Sequence, residues 1–216
     1  MTSILLTGFA PFGESTTNPS WQAVQRVAGA WQGPEILHIA ELPVVFGECA
    51  EAVRTLIRRH RPDLVIAVGQ AGGRAQITPE RIAINIDDAR IPDNAGAQPI
   101  DVPVVEDGPA AYFSTLPIKA LVEALRTRGI PAAVSNSAGT YACNHVFYAV
   151  MHELACGFPS SRGGFVHVPF TPDQVASLNE AKPSMALDMI AEGLTIILRT
   201  SLDTVADLVV TAGTEH

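Results

Sequence analysis

The sequence of 216 residues lacks the features that mark several classes of protein. It has three cysteines but no Cys-x-x-Cys pair and no His-x-x-x-His pair, so it offers no zinc site and we expect no metal. It has no basic cluster and a net charge of −8, which argues against a nucleic-acid partner. No apolar run reaches the length of a membrane span, and the first residues lack the charged start of a signal peptide. We therefore expect a cytoplasmic protein with no membrane contact.

Disulfides are also not expected. Cys143 and Cys156 fall on one predicted helix, too far apart along its axis to be joined, and Cys49 falls on another. With 47% apolar and 17% charged residues, the chain has enough apolar surface for a substantial core. The length then favours a single α/β domain that spans residues 1–216.

Apolar runs that alternate with helical patterns predict an α/β fold. Predicted strands cover residues 4–7, 35–42, 63–69, 82–87, 132–135 and 165–168. Predicted helices begin at residue 19, cover 46–60, 117–128 and 184–202, and follow Cys143. The strands are apolar throughout rather than strictly alternating, which is typical of a largely parallel sheet covered on both faces. Functional loops in such folds lie at the carboxyl ends of the strands.

Cys143 lies where a predicted strand has ended, a turn of small residues has passed and a helix begins. A thiol at that position meets free backbone N–H groups and the positive end of the helix dipole, which lower its pKa. These features favour a nucleophile. The alternative is a buried structural cysteine.

A cysteine nucleophile needs a base, and the base needs an orienting group. Three of the six histidines lie in a strand, at a helix end and at the chain end: His38, His60 and His216. His145 and His152 share the predicted helix with Cys143, and the spacing turns His145 away from the thiol. His167 remains, near the carboxyl end of an apolar strand, where a buried core histidine is an equal alternative. For the orienting group, spacing leaves four carboxylates open: Glu80, Asp87, Asp88 and Asp93.

Two loops are candidates for binding. The loop that runs from Gly69 to Arg74 is rich in glycine, but it matches neither the dinucleotide nor the Walker pattern. Phe9 and Phe12 lie in a Gly/Pro loop after the first strand, where they either cap the core or line a small apolar pocket with flat walls. The long segment from Ala89 to about Gly108 is more typical of a functional loop than of an idle connection.

Several of these segments together carry a resemblance that covers nearly the whole chain. They read LTGFAPFG at 6–13, NPS at 18–20, GQAGGR at 69–74, ERIAIN at 80–85, DDARIPDN at 87–94, SNSAGTYACNH at 135–145 and VHVP at 166–169. On these motifs the chain resembles the bacterial pyroglutamyl-peptidase I family, also called pyrrolidone-carboxylate peptidases. The glutamate and cysteine segments are the most specific of the set.

The resemblance implies a fold, an activity and a set of residues. The family's catalytic glutamate, cysteine and histidine match Glu80, Cys143 and His167. Its fold is a three-layer α/β/α sandwich around a largely parallel, mixed sheet, with no metal or cofactor and often a homotetramer. Its activity is removal of an N-terminal pyroglutamyl residue from peptides, so the expected partners are such peptides and further copies of the chain. The lactam-pocket phenylalanines match Phe9 and Phe12.

Other pocket residues follow from the same comparison. An arginine of the long loop that is linked to activity matches Arg90. From the chemistry of the lactam ring, and not from the resemblance, we expect either backbone groups or the Gln70 side chain to pair its N–H and C=O. Many members have Phe-Val before the Cys-Asn-His segment, whereas this chain has Tyr141 and Ala142, which is expected to alter the depth or polarity of the pocket. Two other interpretations stay open: a different cysteine-dependent amidase on the same fold, and a non-catalytic small-molecule binding protein.

Overall fold

The computed structural model describes residues 1–176 and 178–213, so His216 lies outside the described residues. The strands are β1 (Ser3–Phe9), β2 (Ile36–Leu42), β3 (Leu64–Gln70), β4 (Thr78–Pro79), β5 (Ile82–Ile84), β6 (Ala111–Phe113) and β7 (Arg162–Val168). The helices are α1 (Pro19–Ala30), α2 (Glu48–His60), α3 (Ile118–Thr127), α4 (Ala142–Gly157), α5 (Pro172–Val175) and α6 (Leu187–Asp203).

A five-stranded sheet in the order β2-β1-β3-β7-β4 forms the centre of the fold. The pairs β1–β2, β1–β3 and β3–β7 are parallel, and only the short edge strand β4 pairs antiparallel, with β7. The chain moves from β1 outward to β2 and then returns to β3 on the other side of β1. This reversal places a topological switch point at the carboxyl ends of β1 and β3, where ligands bind in open α/β sheets.

Each face of the sheet carries its own apolar core. On one face, Ile66 and Val166 pack with residues of α1, α3 and α6, among them Val24, Leu121 and Leu194. On the other face, a second cluster joins the sheet to α2 and α4 through Val65, Phe165, Val53, Phe147 and Val150. The alternation of β3 and β7 residues between the two clusters follows from the period of two in a strand. The three-layer α/β/α sandwich expected from the sequence is confirmed.

Two predicted strands differ from the structure. The segment at 82–87 is a strand only over β5, and it pairs with β6 in a separate two-stranded ribbon. The predicted strand at 132–135 is not a strand of the sheet; it makes isolated bridges, Ile77 to Ala132 and Glu80 to Ser135. The segment is apolar because Ala132 and Val134 are buried in the first core. Burial of its side chains, rather than sheet pairing, therefore explains the apolar run.

The start of α1 shows how local sequence sets an element. The Asn18 side chain accepts a hydrogen bond from the Ser20 N–H, and Pro19 occupies the first helical position, as predicted. The Ser20 hydroxyl in turn accepts from the Phe9 N–H, which fixes the loop after β1 against the helix. No helix within the described ranges is long and apolar enough to cross a bilayer.

Side chains on the central strand β3 should contribute more to the free energy of unfolding than those on the edge strand β2. Ile66 on β3 has no exposed surface, so Ile66→Ala should lower the free energy of unfolding by about 2–5 kcal/mol in a denaturant titration. The matched control is Ile36→Ala on edge strand β2, where the side chain is 45% exposed and the loss should be about 0.5 kcal/mol or less. Equal losses for the two variants would contradict this account of the core.

Candidate active site

The ladder between β3 and β7 brings the candidate residues together. His167 on β7 is the register partner of Gly69 on β3, and on its other side it faces Thr78 on β4. Its side chain points to the face that carries α4, since Phe165, two residues earlier, belongs to the core on that face. The histidine is 4% exposed, and it lies next to the switch point.

Glu80 directly follows β4 and holds His167. Its carboxylate is fully buried, and its Oε1 atom lies 2.7 Å from His167 Nδ1. The backbone fixes the position of the carboxylate, because the Glu80 N–H donates to the Phe165 carbonyl on β7. The Nδ1–H therefore donates to Glu80, and this tautomer leaves Nε2 with a lone pair.

Two pKa shifts define the state of this pair. Burial lowers the pKa of the His167 imidazole more than the Glu80 carboxylate raises it, so the ring is neutral at rest. Burial works against ionisation of Glu80, but the hydrogen bonds from His167 and Arg74 hold the pKa of its carboxyl below the ordinary value. The resting pair is thus a neutral imidazole on a buried carboxylate.

Cys143 is the second residue of α4, at the start of the helix as predicted. Its Sγ lies over the backbone of Gly69, where a Cβ would stand 2.8 Å from the sulfur. The thiol therefore lies over the residue that pairs with His167, on the same face of the sheet. Within residues 1–176 and 178–213, no hydrogen bond joins the thiol of Cys143 to the imidazole of His167.

The expected low pKa of the thiol is wrong for the resting protein. Burial, and then the negative charge of Glu80, raise the pKa of Cys143 to about 12. The sequence showed the helix start but not the burial of the thiol, which penalises a free thiolate. The thiol is therefore protonated at rest, and a thiolate forms only as a base removes the proton.

Backbone donors without a helical partner lie at the start of α4, the turn that carries Cys143. Tyr141 precedes α4 and makes no side-chain capping bond, and the first backbone bond of the helix runs from His145 N–H to the Tyr141 carbonyl. The N–H groups of Ala142, Cys143 and Asn144 therefore have no partner within the helix. Such N–H groups are the donors that an oxyanion requires.

A cavity of about 830 Å³ opens beside the thiol. All six sequence-predicted binding residues line it together with Cys143: Phe9, Phe12, Gln70, Arg90, Tyr141 and Ala142. His167 and Glu80 are not part of this lining. The cavity is within the size range of sites for small ligands, and its wall is largely apolar with a few polar groups.

Three of the lining residues differ in detail from the expectation. Phe9 is 3% exposed and packs on Phe165, so it belongs to the core as well as to the cavity. The side-chain oxygen of Gln70 already accepts a hydrogen bond from Gln174 Nε2 at 2.9 Å. The Tyr141 hydroxyl donates to the Pro92 carbonyl, and its ring contacts the Phe12 ring edge to face. That hydroxyl therefore ties the long loop to the start of α4.

The rival carboxylates have other partners. Asp87 Oδ2 lies 2.7 Å from His145 Nδ1, which accounts for a histidine turned away from the thiol. Asp93 accepts hydrogen bonds from the backbone N–H groups of the long loop and of Phe46. Asp88 is exposed and lines the cavity. Among the four candidates, Glu80 is the one bonded to His167.

Arg74 and Phe170 are among the residues of the site that were not predicted from the sequence. Arg74 Nη1 lies 2.7 Å from Glu80 Oε1, and Phe170 lines the cavity beyond Gly72. A buried carboxylate calls for a cation, but the burial of Glu80 is known only from the structure, so the sequence gave no signal for Arg74. Phe170 follows the strand of His167 and gave no separate signal. Within the described residues, no group of three or more His, Cys, Asp and Glu side chains could hold a metal ion.

A protonated thiol at a helix start, an imidazole–carboxylate pair and a neighbouring apolar cavity on a parallel sheet are typical of cysteine hydrolases. Comparison with known proteins narrows this class. The family model described as pyroglutamyl peptidase matches residues 2–204. The chain belongs to the pyroglutamyl peptidase family.

Individual relatives agree with this assignment. The pyrrolidone-carboxylate peptidase of Streptomyces coelicolor is 55% identical over 218 residues, which covers 100% of each chain. The crystal structure of pyroglutamyl peptidase I from Bacillus amyloliquefaciens has a TM-score of 0.92 at 48% identity, over 96% of this chain and 100% of that one. The pyrrolidone carboxyl peptidase from Thermococcus litoralis has a TM-score of 0.93 at 38% identity, over 98% and 100% of the two chains.

The close approach of Cys143 to Gly69 predicts a specific coupling. Gly69→Ala places a Cβ 2.8 Å from both Cys143 Sγ and Phe165 Cζ, so it should lower the free energy of unfolding by about 1–3 kcal/mol. Adding Cys143→Ala removes one of these contacts and should recover about 0.5 kcal/mol or more in a double-mutant cycle.

The control for this cycle is Gly29→Ala in α1, where a Cβ meets no atom within 4 Å. That variant should be stabilised by about 0.5–1 kcal/mol, because alanine favours a helix. Strict additivity of Gly69→Ala and Cys143→Ala would show that the sulfur does not lie over Gly69.

Proposed function

We propose that Cys143, His167 and Glu80 act as nucleophile, base and orienting group in the removal of an N-terminal pyroglutamyl residue from peptides. The chain is a cysteine peptidase of the pyroglutamyl peptidase family, and the peptide bond after the pyroglutamyl residue is the one it cleaves. The observation that carries the residue assignment is the 2.7 Å bond from His167 to a fully buried carboxylate, beside a thiol that borders the cavity.

The first half of the reaction forms a thioester. His167 Nε2 takes the proton of the Cys143 thiol as Sγ attacks the pyroglutamyl carbonyl carbon, and a tetrahedral oxyanion forms. The imidazolium then gives this proton to the peptide nitrogen, the C–N bond breaks and the amine leaves. Glu80 keeps the Nδ1–H tautomer and offsets the positive charge that develops on the ring.

The second half of the reaction hydrolyses the thioester and releases pyroglutamic acid. Water takes the place of the amine, His167 removes a proton from it, and the oxygen attacks the thioester carbon. The C–S bond breaks, and the sulfur recovers its proton from the imidazolium. Because burial raises the pKa of the Cys143 thiol, the proposal assigns removal of its proton to His167 during the attack.

The oxyanion needs donors that are in place beforehand. The N–H groups at the start of α4 supply them, and one such donor is typically worth about 3 kcal/mol. Arg90 is exposed and lines the same cavity, so its guanidinium adds positive charge near the reacting carbonyl.

The cavity suits a flat, uncharged lactam ring. Phe9 and Phe12 supply apolar faces, and the Tyr141 ring holds Phe12 from the side. The Gln70 side-chain oxygen accepts a hydrogen bond from Gln174, which leaves the Gln70 amide N–H groups as donors for the lactam C=O, while a backbone carbonyl accepts from the lactam N–H. An N-terminal proline carries a charged amine and lacks the carbonyl, so this pocket would leave it unpaired.

We also propose a cellular compartment and an oligomeric state for the enzyme. The three cysteines are free, which suits a reducing compartment such as the cytoplasm. The chain acts as one peptidase domain over residues 1–216 and associates as a homo-oligomer, a tetramer in the pattern of the family. Exposed apolar side chains such as Ile100, Val205 and Val209 provide surface for such contacts.

Replacing the nucleophile tests the residue assignment. Cys143→Ala should abolish turnover of a pyroglutamyl-amide reporter and leave the unfolding midpoint nearly unchanged, because the reacting sulfur is lost with little volume. The matched controls are Cys156→Ala on the surface and Cys49→Ala in the core, both of which should keep their turnover.

Near-normal turnover by Cys143→Ala would refute the mechanism. If the wild-type protein cleaves other amides as fast as the pyroglutamyl reporter, the chain is a different cysteine amidase. If it cleaves none and its thiol has no effect on ligand binding, the chain is a small-molecule binding protein.

Selectivity tests the pocket. We expect kcat/KM for a pyroglutamyl amide to exceed that for the prolyl and glutaminyl amides by roughly ten-thousand-fold, because a site that pairs a polar group rejects analogues without it. Phe12→Ala should raise KM for the pyroglutamyl compound, whereas Phe113→Ala, which removes a phenylalanine outside the cavity, should not. Phe9 is less suitable as a probe since its loss also opens the core. Comparable kcat/KM for the prolyl and pyroglutamyl amides would rule out this account.

A further inference from the structure

Arg74 contacts the carboxylate that holds the candidate base. It follows the turn after β3, and its Nη1 lies 2.7 Å from Glu80 Oε1. The same carboxylate oxygen accepts the bond from His167 Nδ1, also at 2.7 Å. A single carboxylate oxygen, Glu80 Oε1, thus accepts hydrogen bonds from both the imidazole and the guanidinium.

The arginine is anchored on three sides. Besides Glu80, Nη1 donates to Thr78 Oγ1 and Nη2 donates to the Ser137 carbonyl. Thr78 is the register neighbour of His167, and Ser137 belongs to the turn before Cys143. The planar guanidinium therefore links the segments that carry all three candidate catalytic residues.

The burial of Glu80 makes this cation necessary. Because His167 is neutral at rest, it cannot balance the charge of the carboxylate, and an unpaired buried charge is costly. Within the described part of the chain, Arg74 is the one lysine or arginine that forms an ion pair with Glu80. The Arg74 side chain is 32% exposed, so the charge on the solvent side of the pair remains hydrated.

We propose that Arg74 is a positioning residue of the reaction, which keeps Glu80 ionised and limits the basicity of His167 by sharing its carboxylate oxygen. This inference rests on the proposed roles of Cys143, His167 and Glu80. Arg74 touches neither the substrate cavity nor the reacting atoms; it acts through Glu80.

The charges around His167 give the direction of the effect. The groups that face the ring are Glu80 after β4, Arg74 from the loop after β3 and the thiol of Cys143 from α4; β3 itself contributes Gly69, which does not titrate. The positive charge of Arg74 lowers the pKa of His167 and that of the Cys143 thiol, whereas Glu80 raises both. Without Arg74 the pKa of His167 rises, so protonation disables the base at a higher pH.

The test compares Arg74→Gln, which removes the charge, with Arg74→Lys, which keeps a charge but loses the planar fork. Arg74→Gln should lower kcat/KM for a pyroglutamyl amide roughly tenfold to hundredfold, mainly through kcat, and move the acid limb of its pH profile to higher pH. Arg74→Lys should keep the acid limb close to that of the wild type and recover part of the rate. A loop anchor without an electrostatic role would leave the acid limb in place in both variants.

Arg81→Gln is the matched control. Arg81 adjoins Glu80 in the chain, but its guanidinium donates to Asn136 Oδ1 and the Ala212 carbonyl rather than to the carboxylate. This variant should keep the wild-type acid limb. An equal shift in Arg81→Gln and Arg74→Gln would show a general effect of surface charge and overturn the proposal.

A second readout separates this inference from the proposed function. The rate of alkylation of Cys143 as a function of pH, measured in a Cys156→Ala background where Cys49 stays buried, reports the thiol and imidazole without turnover. Arg74→Gln should move this profile to higher pH, and Arg74→Lys should not. If Cys143→Ala is inactive but the alkylation profile of Arg74→Gln matches that of the wild type, only the role of Arg74 is refuted. If Cys143→Ala is active, the proposed function itself is refuted.

Discussion

The hydrogen bond between His167 and Glu80 is the interaction on which the site depends. It joins β7 to the end of β4, the one antiparallel pair of the central sheet, and both side chains are almost completely buried. Because the Glu80 carboxylate is shielded from water, its hydrogen bond to His167 is strong enough to fix the tautomer and the orientation of the imidazole ring. The short strand β4 therefore serves the site: it turns the chain back along β7 so that the carboxylate meets the imidazole.

Burial also sets the chemistry of the sulfur. The same apolar face that packs α4 on the sheet raises the pKa of the thiol, so the helix start alone does not make a thiolate. A protonated thiol beside a neutral imidazole is a resting state that avoids two buried charges. Charge then separates only during attack, when the oxyanion donors at the start of α4 and the carboxylate of Glu80 can both act on it.

The sequence allowed the layers, the parallel strands and the position of Cys143 to be predicted, because apolar periodicity reports burial and a turn before a helical pattern reports a helix start. Residues 132–135 show the limit of predicting strands in this way. An apolar run indicates that a segment is buried, but not that its backbone pairs with a neighbouring strand. The orienting carboxylate could not be chosen from spacing among four candidates, because the antiparallel return of β4 decides which one reaches His167. The resemblance supplied Glu80, whereas Arg74 required the geometry of the pair.

A second histidine–carboxylate pair lies two residues beyond Cys143 and clarifies what makes the first one suited to catalysis. His145 Nδ1 bonds Asp87 at 2.7 Å, the same separation as in the pair of His167 and Glu80. Its Nε2, however, accepts a hydrogen bond from the Gly47 N–H, so both ring nitrogens are used to tie α4 to the loop before α2. No hydrogen bond within the described residues occupies Nε2 of His167. The two pairs share their chemistry, and the free second nitrogen is what lets one of them accept a proton.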